Sequence, residues 1–364
     1  MERIAWVIPG LIGGNFVGAV IYQDGRTEKI EGNAHGFCAL DPNHKMGSFN
    51  WLTPEERGVV SELFDFQPWK KVDDTSGTAK SGPVNDIAGL AYYMNRTKRY
   101  NHYPMGRAYH LTRLVAHINK SEDVRWIDLP SERVFMDRHL HTFYFNLPGT
   151  GTRLAGHAII EGHVHHGPAA SVYGYFQGRL QKLARISWHG SSTGWVNLIG
   201  TGDFDGDGCV EIALIRNPQE NGSLELWEMR YEASPSGTPF SLVLKARSEG
   251  FSNHVFGTLA ARLSVVADVN FDGILDLIVP DRSRTTLRVM SFVGDQFTEI
   301  HRVELPSAVA YDMTYDSPFS YKPKRGYTLV VPLEDNTVHL VQLPNWERRR
   351  FKRPPECAGA YRPN

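Results

Sequence analysis

The sequence predicts an all-β protein assembled from repeated small sheets. Aromatic residues make up 11% of the 364-residue chain, and 34 glycines and 21 prolines interrupt it at short intervals. Frequent turns between aromatic and β-branched segments favour short strands over long helices. Several apolar segments are also followed by a polar turn and then by an alternating segment, a succession typical of β-hairpins.

The overall composition bounds the class of protein. The chain is 41% hydrophobic and 22% charged, close to globular averages, so it can bury a sizeable core. Its formal net charge of -1 excludes a polycation that wraps nucleic acid and an acidic disordered protein. We therefore expect no nucleic-acid partner and interpret the basic, tyrosine-rich stretch 96–113 as a solvated loop. Three cysteines are too few for a disulfide scaffold or a cysteine zinc site.

The N-terminal stretch from Ile4 to Gln23 carries no charge, which raises the question of a membrane span or signal peptide. Glycines and a proline interrupt this stretch. It therefore predicts two strands, Ile4–Ile8 and Phe16–Tyr22, and no transmembrane span. A signal peptide with Arg3 as a minimal basic start is the alternative. The one predicted helix is Thr53–Phe64, which begins with a capping box.

Hairpins recur along the chain. The three clearest lie in its second half: Glu211–Arg216 with Leu224–Met229, Asp276–Pro280 with Thr286–Phe292, and Thr328–Pro332 with Thr337–Leu343. Fainter copies are Val17–Ile30, Leu114–Leu129 and Ala158–Phe176.

The spacing of these hairpins predicts the architecture. Glu211 and Asp276 are 65 residues apart, and Leu277 and Leu329 are 52 apart. Units of this length suit the four-stranded blades of a β-propeller. The sequence therefore predicts one six- or seven-bladed β-propeller over residues 1–347, with blade boundaries unassigned before about residue 130. A basic, proline-containing tail, residues 348–364, follows it.

Two segments carry the most specific chemical signal. Residues 201–211 read TGDFDGDGCVE and residues 267–276 read ADVNFDGILD. Both contain the pattern D-x-[DN]-x-D-G-x-x-[DE], which supplies Asp203, Asp205, Asp207 and Glu211 in the first copy and Asp268, Asn270, Asp272 and Asp276 in the second. Alternate carboxylates this close together repel one another unless a cation lies between them, and oxygen-only ligands indicate calcium rather than zinc.

These loops differ from an EF-hand. An EF-hand loop needs a bidentate glutamate at position 12, where this chain has Leu214 and Val279. It also needs flanking helices, whereas the flanking segments here predict strands. The residues at position seven, Cys209 and Ile274, would each contribute only a backbone carbonyl.

A strand, this loop and a second strand, repeated at blade spacing, resemble the FG-GAP/VCBS repeats of integrin-α-type propellers. In that family the loop joins the first two strands of a blade and holds one calcium ion. The resemblance covers residues 195–345 and implies two calcium ions, since no other stretch has the full pattern. It also favours an exported location, periplasmic, extracellular or at the cell surface, although no clear signal peptide is present.

Two other patterns offer competing functions. Six histidines lie in one short stretch: His139, His141, His157, His163, His165 and His166. On a strand, two histidines that are two residues apart point to the same face. Such a pair could bind a transition metal. A histidine-rich hairpin turn is the simpler interpretation.

The segment GSSTG centres on Ser192 and matches the nucleophile elbow formally, but a predicted strand follows it where an elbow needs a helix.

The functional hypothesis is a non-catalytic, calcium-stabilised propeller that binds a protein or glycan on one of its faces, as a scaffold or subunit of a larger assembly. The alternatives are a glycan- or ester-cleaving enzyme with a central pocket, and a protein that handles transition metals through the histidines. The fold does not choose among them.

Overall fold

A computed structural model of the chain gives the fold. It describes residues 4–8, 11–12, 15–22, 27–32 and 76–80, all five ranges as strands only. It also describes residues 90–344 apart from 101–109, 119–122, 137–139, 148–151, 232–238, 258–261, 317–326 and 336. Within these ranges, every regular secondary-structure element is a β-strand. The predicted helix Thr53–Phe64 and the basic tail lie outside the described residues.

Twelve strands precede the histidine-rich turn or form it: β1 (Ile4–Ile8), β2 (Leu11–Ile12), β3 (Asn15–Tyr22), β4 (Thr27–Gly32), β5 (Ser76–Lys80), β6 (Leu90–Thr97), β7 (His110–Ile118), β8 (Asp123–Asp128), β9 (Arg133–Phe135), β10 (His141–Asn146), β11 (Arg153–His163) and β12 (Gly167–Phe176). The remaining strands are β13 (Arg179–Arg185), β14 (Val196–Gly202), β15 (Glu211–Arg216), β16 (Gly222–Tyr231), β17 (Phe240–Phe251), β18 (Val265–Ala267), β19 (Asp276–Pro280), β20 (Thr286–Val293), β21 (Gln296–Glu304), β22 (Thr314–Asp316), β23 (Thr328–Pro332) and β24 (Val338–Gln342).

The strands form consecutive antiparallel meanders. β14 to β17 form one four-stranded sheet in chain order, β18 to β21 form the next, and β22 to β24 form a three-stranded sheet. The nine-stranded sheet contains two further meanders, β5 to β8 and β10 to β13, which β9 joins by pairing with both β7 and β11. The first four strands form a separate sheet in which β3 pairs with β1, β2 and β4.

Successive meanders pack side by side in a radial order. The first strands β5, β10, β14 and β18 contact one another in turn, and so do the last strands β8, β13, β17 and β21. Neighbouring blades of a β-propeller pack in this way, with first strand against first strand and last strand against last strand. The chain is therefore a β-propeller, as predicted, whereas the number of blades stays a prediction.

The hairpins predicted from sequence are confirmed. Glu211–Arg216, Asp276–Pro280 and Thr328–Pro332 are strands with those bounds, and each is followed by its predicted partner strand. The N-terminal strands are confirmed as β1 and β3, with the short β2 between them. The stretch 96–113 is predicted wrongly in part, because its two ends continue β6 and β7 and Tyr100 is buried.

The cores lie between blades. One apolar cluster joins residues of β15 and β16 to residues of β19 and β20, among them Ile215, Leu226, Leu277 and Met290. The central strands β15 and β19 are buried along almost their whole length, which explains their continuous apolar sequences. Full burial of each such side chain contributes roughly 1.5–3 kcal/mol, so adjacent blades stabilise each other.

Candidate functional site

The two acidic loops occupy equivalent places in neighbouring blades. The first, Asp203 to Glu211, joins β14 to β15, and the second, Asp268 to Asp276, joins β18 to β19. Each loop thus connects the first and second strands of its meander. The last carboxylate of each loop is the first residue of a buried central strand.

The backbone of each loop folds around its own carboxylates. In the first loop, Asp203 accepts hydrogen bonds from the amides of Gly206 (2.7 Å) and Gly208 (3.0 Å). In the second loop, Asp268 accepts hydrogen bonds from the amides of Asp272 (3.1 Å) and Gly273 (3.0 Å).

The closing carboxylates are bound in the same way. Glu211 accepts a hydrogen bond from the Phe204 amide at 2.9 Å, and Asp276 accepts one from the Val269 amide at 3.0 Å. The sequence pattern therefore corresponds to one three-dimensional loop, formed twice.

Both loops need left-handed backbone at their fourth and sixth positions. Gly208 and Gly273 have φ of 80° and 92°, a region that glycine adopts without steric cost. At the fourth position Gly206 has φ of 77°, but Phe271 takes its place in the second loop with φ of 60°. The Phe271 ring stacks on Tyr327 with 5.8 Å between centroids, and this packing helps to hold a conformation that costs roughly 1–2 kcal/mol.

Three of the four predicted carboxylates of the first loop converge. Ligand oxygens of Asp203, Asp205 and Glu211 all lie within 4.8 Å of one another. Asp207 is 43% exposed, and its Oδ1 accepts a hydrogen bond from the Cys209 amide, so it lies at the rim.

Glu211 is the most strongly perturbed group of the first loop. Its side chain is fully buried, and among the described residues Oε1 has no hydrogen-bond partner. Burial is the main cause that raises the pKa of Glu211 to about 9, and Asp205 adds to the rise by repulsion. A buried carboxylate oxygen without a donor is costly, and a cation at this point would remove that cost.

A lysine that sequence analysis missed lies at the first loop. Lys245 of β17 contacts Asp205 through its ammonium group, which also lies 3.6 Å from Asp207, 3.9 Å from Glu211 and 3.6 Å from Glu228. No local pattern marks this residue. It reaches the loop because β17 bulges there, between the pairs Trp227–Leu244 and Leu226–Ala246.

Within the described part of the chain, the second loop has no equivalent lysine. The corresponding bulge in β21 falls at Ile300, between the pairs Met290–Glu299 and Val289–His301. Burial raises the pKa of Asp276 to about 7, partly offset by hydrogen bonds from Ser291 and Val269. Burial and the neighbouring Asp272 likewise raise the pKa of Asp268.

The histidines occupy separate environments. His157 and His141 lie on β11 and β10; burial lowers the pKa of His157 to about 4 and, together with Arg262, that of His141 to about 3. His163, His165 and His166 meet at the β11–β12 turn, with 4.5 Å between the ring centroids of His163 and His166. Among the described residues, the ligand atoms that converge as in a metal site are those of Asp203, Asp205 and Glu211. Neither the described histidines nor the carboxylates of the second loop converge in this way, and His139 lies outside the described residues.

Ser192 does not lie on a nucleophile elbow. It is exposed in a turn after Gly190, and strand β14 follows it instead of a helix. His189, the nearest histidine in sequence, directs Nε2 to Asn217 at 2.7 Å. The arrangement around Ser192 therefore lacks the strand–turn–helix context that an α/β-hydrolase nucleophile requires.

Comparisons with known proteins give structural similarity at low sequence identity. No protein-family model matches the chain, and no curated protein matches it. Solved structures that are similar include the WD40 domain of Toxoplasma gondii coronin (9% identity, TM-score 0.44, covering 96% of this chain and 82% of that one). Another is the rhamnogalacturonan lyase YesW (11% identity, TM-score 0.44), where the match covers 92% of this chain and 58% of the other.

The class that the fold itself defines is the all-β propeller. In the part of the chain that the structure describes, no helix has the length and apolar character needed to cross a membrane.

Proposed function

We propose that this protein is a calcium-stabilised β-propeller that binds a protein or glycan partner, or serves as a scaffold subunit, with one Ca²⁺ in each acidic loop. The observation that carries the proposal is the loop itself, formed twice with the same hydrogen bonds in adjacent blades. The resemblance to FG-GAP/VCBS repeats is in accord with it.

The donor set of the first loop fits a hard cation. Asp203, Asp205 and Glu211 offer carboxylate oxygens that already converge, and Glu211 Oε1 needs a positive partner. Asp207 and the Cys209 carbonyl are the further proposed ligands. The Lys245 ammonium supplies one positive charge to the same carboxylates, so an ion at this loop competes with a resident side chain.

The donor set of the second loop also fits a hard cation, with three carboxylates instead of four and with Ile300 where the first loop has the competing Lys245. Its proposed ligands are Asp268, Asn270, Asp272, Asp276 and the Ile274 carbonyl. The carboxylates here are destabilised by burial and by one another, and Ile300 occupies the place of Lys245. We propose that this loop also binds Ca²⁺, with one carboxylate fewer than the first and with ligands that converge when the ion binds.

Bound ions would strengthen the contact between two blades as well as each loop. The Leu275 amide of the second loop donates a hydrogen bond to the Asp203 carbonyl of the first at 3.3 Å. A Cβ on Gly206 would lie 3.1 Å from Ile274 Cδ1, so the loops are already in close contact. Calcium in this role is structural and leaves the propeller faces available to a partner.

The direct test is calcium binding by the full chain. Elemental analysis after purification in calcium should give two Ca²⁺ per chain, and calorimetric titration of the chelated protein should give two sites. Asp268→Asn should abolish the site in the second loop and Asp203→Asn the site in the first. Zinc in place of calcium, or no bound metal, would contradict the proposal.

The enzyme alternative is tested separately. A fluorophosphonate probe reacts with activated serines, and we expect no labelling because Ser192 has neither an elbow nor a free histidine Nε2 beside it. Stoichiometric labelling that disappears in Ser192→Ala would establish a hydrolase. The binding role predicts instead that glycan or protein binding by the propeller is lost in EGTA.

A further inference from the structure

A second group of charged side chains lies away from the acidic loops, on one face of the sheet that contains β9, β11, β12 and β13. Arg133 pairs in register with His163, Ser171 with Arg185, and Tyr173 with Lys182. Side chains of paired residues project to the same side of a sheet, and so do residues two apart on one strand. We call this face, with Glu161 at its centre, the cationic strip: Arg133, Glu161, His163, Ser171, Tyr173, Lys182 and Arg185.

Glu161 is the buried anchor of the strip. Its carboxylate is fully buried and accepts a hydrogen bond from the Tyr173 hydroxyl. Lys182 Nζ lies 2.6 Å from Oε1, and Arg133 Nη1 lies 3.7 Å from Oε2. One carboxylate therefore interacts with two cationic side chains and with one tyrosine hydroxyl.

Cations exceed carboxylates at the strip. Arg185 is exposed and lies over the Trp188 ring, 4.1 Å from its centroid, close enough to interact electrostatically with Glu161. Among the described residues, a second carboxylate near the strip is Glu132, which is exposed and lies 3.5 Å from His163. Burial lowers the pKa of Lys182 and of Arg185, as expected where positive charge is not fully compensated.

Ser171 adds uncompensated polarity to the same face. It is fully buried, it lies opposite Arg185, and its hydroxyl has no hydrogen-bond partner among the described residues. A buried hydroxyl without a hydrogen-bond partner lowers the stability of the fold. A buried polar strip of this kind is poor for stability alone, which points to a ligand.

We propose that the cationic strip binds a small oxyanion, a carboxylate, phosphate or sulfate group, through Arg133, Lys182 and Arg185. The two guanidinium groups offer planar donors suited to such oxygens, and the ammonium adds a point charge. Trp188, beside Arg185, provides an apolar edge for the body of a ligand that carries the anion. The site is independent of the calcium loops.

The test is titration of the full chain with inorganic phosphate, inorganic sulfate and glucuronate, at constant ionic strength set with chloride. Calorimetry measures affinity, and the part of the tryptophan fluorescence change that is lost in Trp188→Phe reports on Trp188. Arg185→Gln should weaken binding about tenfold, in keeping with loss of one charge-assisted contact. Arg302→Gln, a control at an exposed arginine paired with Glu299 on β21, should leave binding unchanged.

The substitution Glu161→Gln separates a binding role from a structural one. Removal of the internal carboxylate leaves the cations unpaired, so anion affinity should rise about tenfold even as the melting temperature without anion falls. If that variant does not fold, Glu132→Gln provides the same test at an exposed position, with a smaller rise expected. The three probes identify the preferred oxyanion. No binding of any probe at millimolar concentration, or equal binding by wild type and Arg185→Gln, would overturn the proposal.

Discussion

Lys245 is the residue that makes two similar loops unequal. In the metal-free protein its ammonium compensates Asp205 and lies near Glu211, whereas Ile300 in the equivalent bulge compensates nothing. Lys245→Ile should therefore have opposite effects with and without the ion. It should tighten calcium binding at the first loop about tenfold by calorimetry and lower the melting temperature in EGTA.

The reciprocal substitution, Ile300→Lys, is the matched control for this prediction. It should weaken calcium binding at the second loop and leave the first loop unchanged. Unaltered affinities in both variants would mean that the bulge residue does not regulate ion binding.

His157 gives a prediction about pH. Its Nδ1 lies 2.9 Å from the Thr142 hydroxyl, and burial lowers its pKa from 6.5 to about 4. His157 therefore becomes protonated below about pH 6.5 in the unfolded chain, but only near pH 4 in the folded chain. Stability from this group is fully present above pH 6.5 and is lost as the pH falls towards 4. Melting curves between pH 7 and 4 should show a smaller loss for His157→Gln than for the wild type; equal losses would contradict it.

At the scale of the element, the loop is a backbone structure as much as a set of ligands. Gly206 combines a positive φ with close approach to Ile274, whereas Gly178, in the β12–β13 turn, has φ of 79° and open space around it. Gly206→Ala should thus destabilise the protein by more than the roughly 1 kcal/mol expected for Gly178→Ala. Only the first substitution should also weaken calcium binding. Denaturant melts and calorimetry of both variants measure this, and equal behaviour would show that the Ile274 contact is unimportant.

At the scale of the whole molecule, ion binding should be visible as cooperative stability. The loops touch each other, and the blades they belong to share one apolar cluster, so a gain at either loop reaches both blades. Each ion should add about 2.7 kcal/mol at free calcium about 100 times the Kd. Differential scanning calorimetry should show a melting temperature several degrees lower in EGTA, and Asp203→Asn with Asp268→Asn together should reproduce that loss in calcium. An unchanged melt would mean that the loops do not support the fold.

The features that sequence predicted are those with short-range causes. A buried strand, a turn and an alternating strand are contiguous, so the hairpins at Glu211–Arg216 and Asp276–Pro280 follow from apolar patterning alone. The carboxylates of each acidic loop lie within nine residues, so the convergence seen in the first loop also follows from local spacing. The repeat of these units predicted the propeller, because hairpins of blade length bury their faces only against neighbouring copies.

Tertiary structure alone decided which distant side chains meet. Lys245 is 34 residues from Glu211, and it reaches the first loop through a bulge that no local pattern announces. Glu161 gathers Arg133 and Lys182 from strands on either side because the register of three pairings places them on one face. A shift of one residue in any of these strands would send the side chain to the opposite face. Local spacing determined the loops and blades of this protein, and strand register determined the charges that surround them.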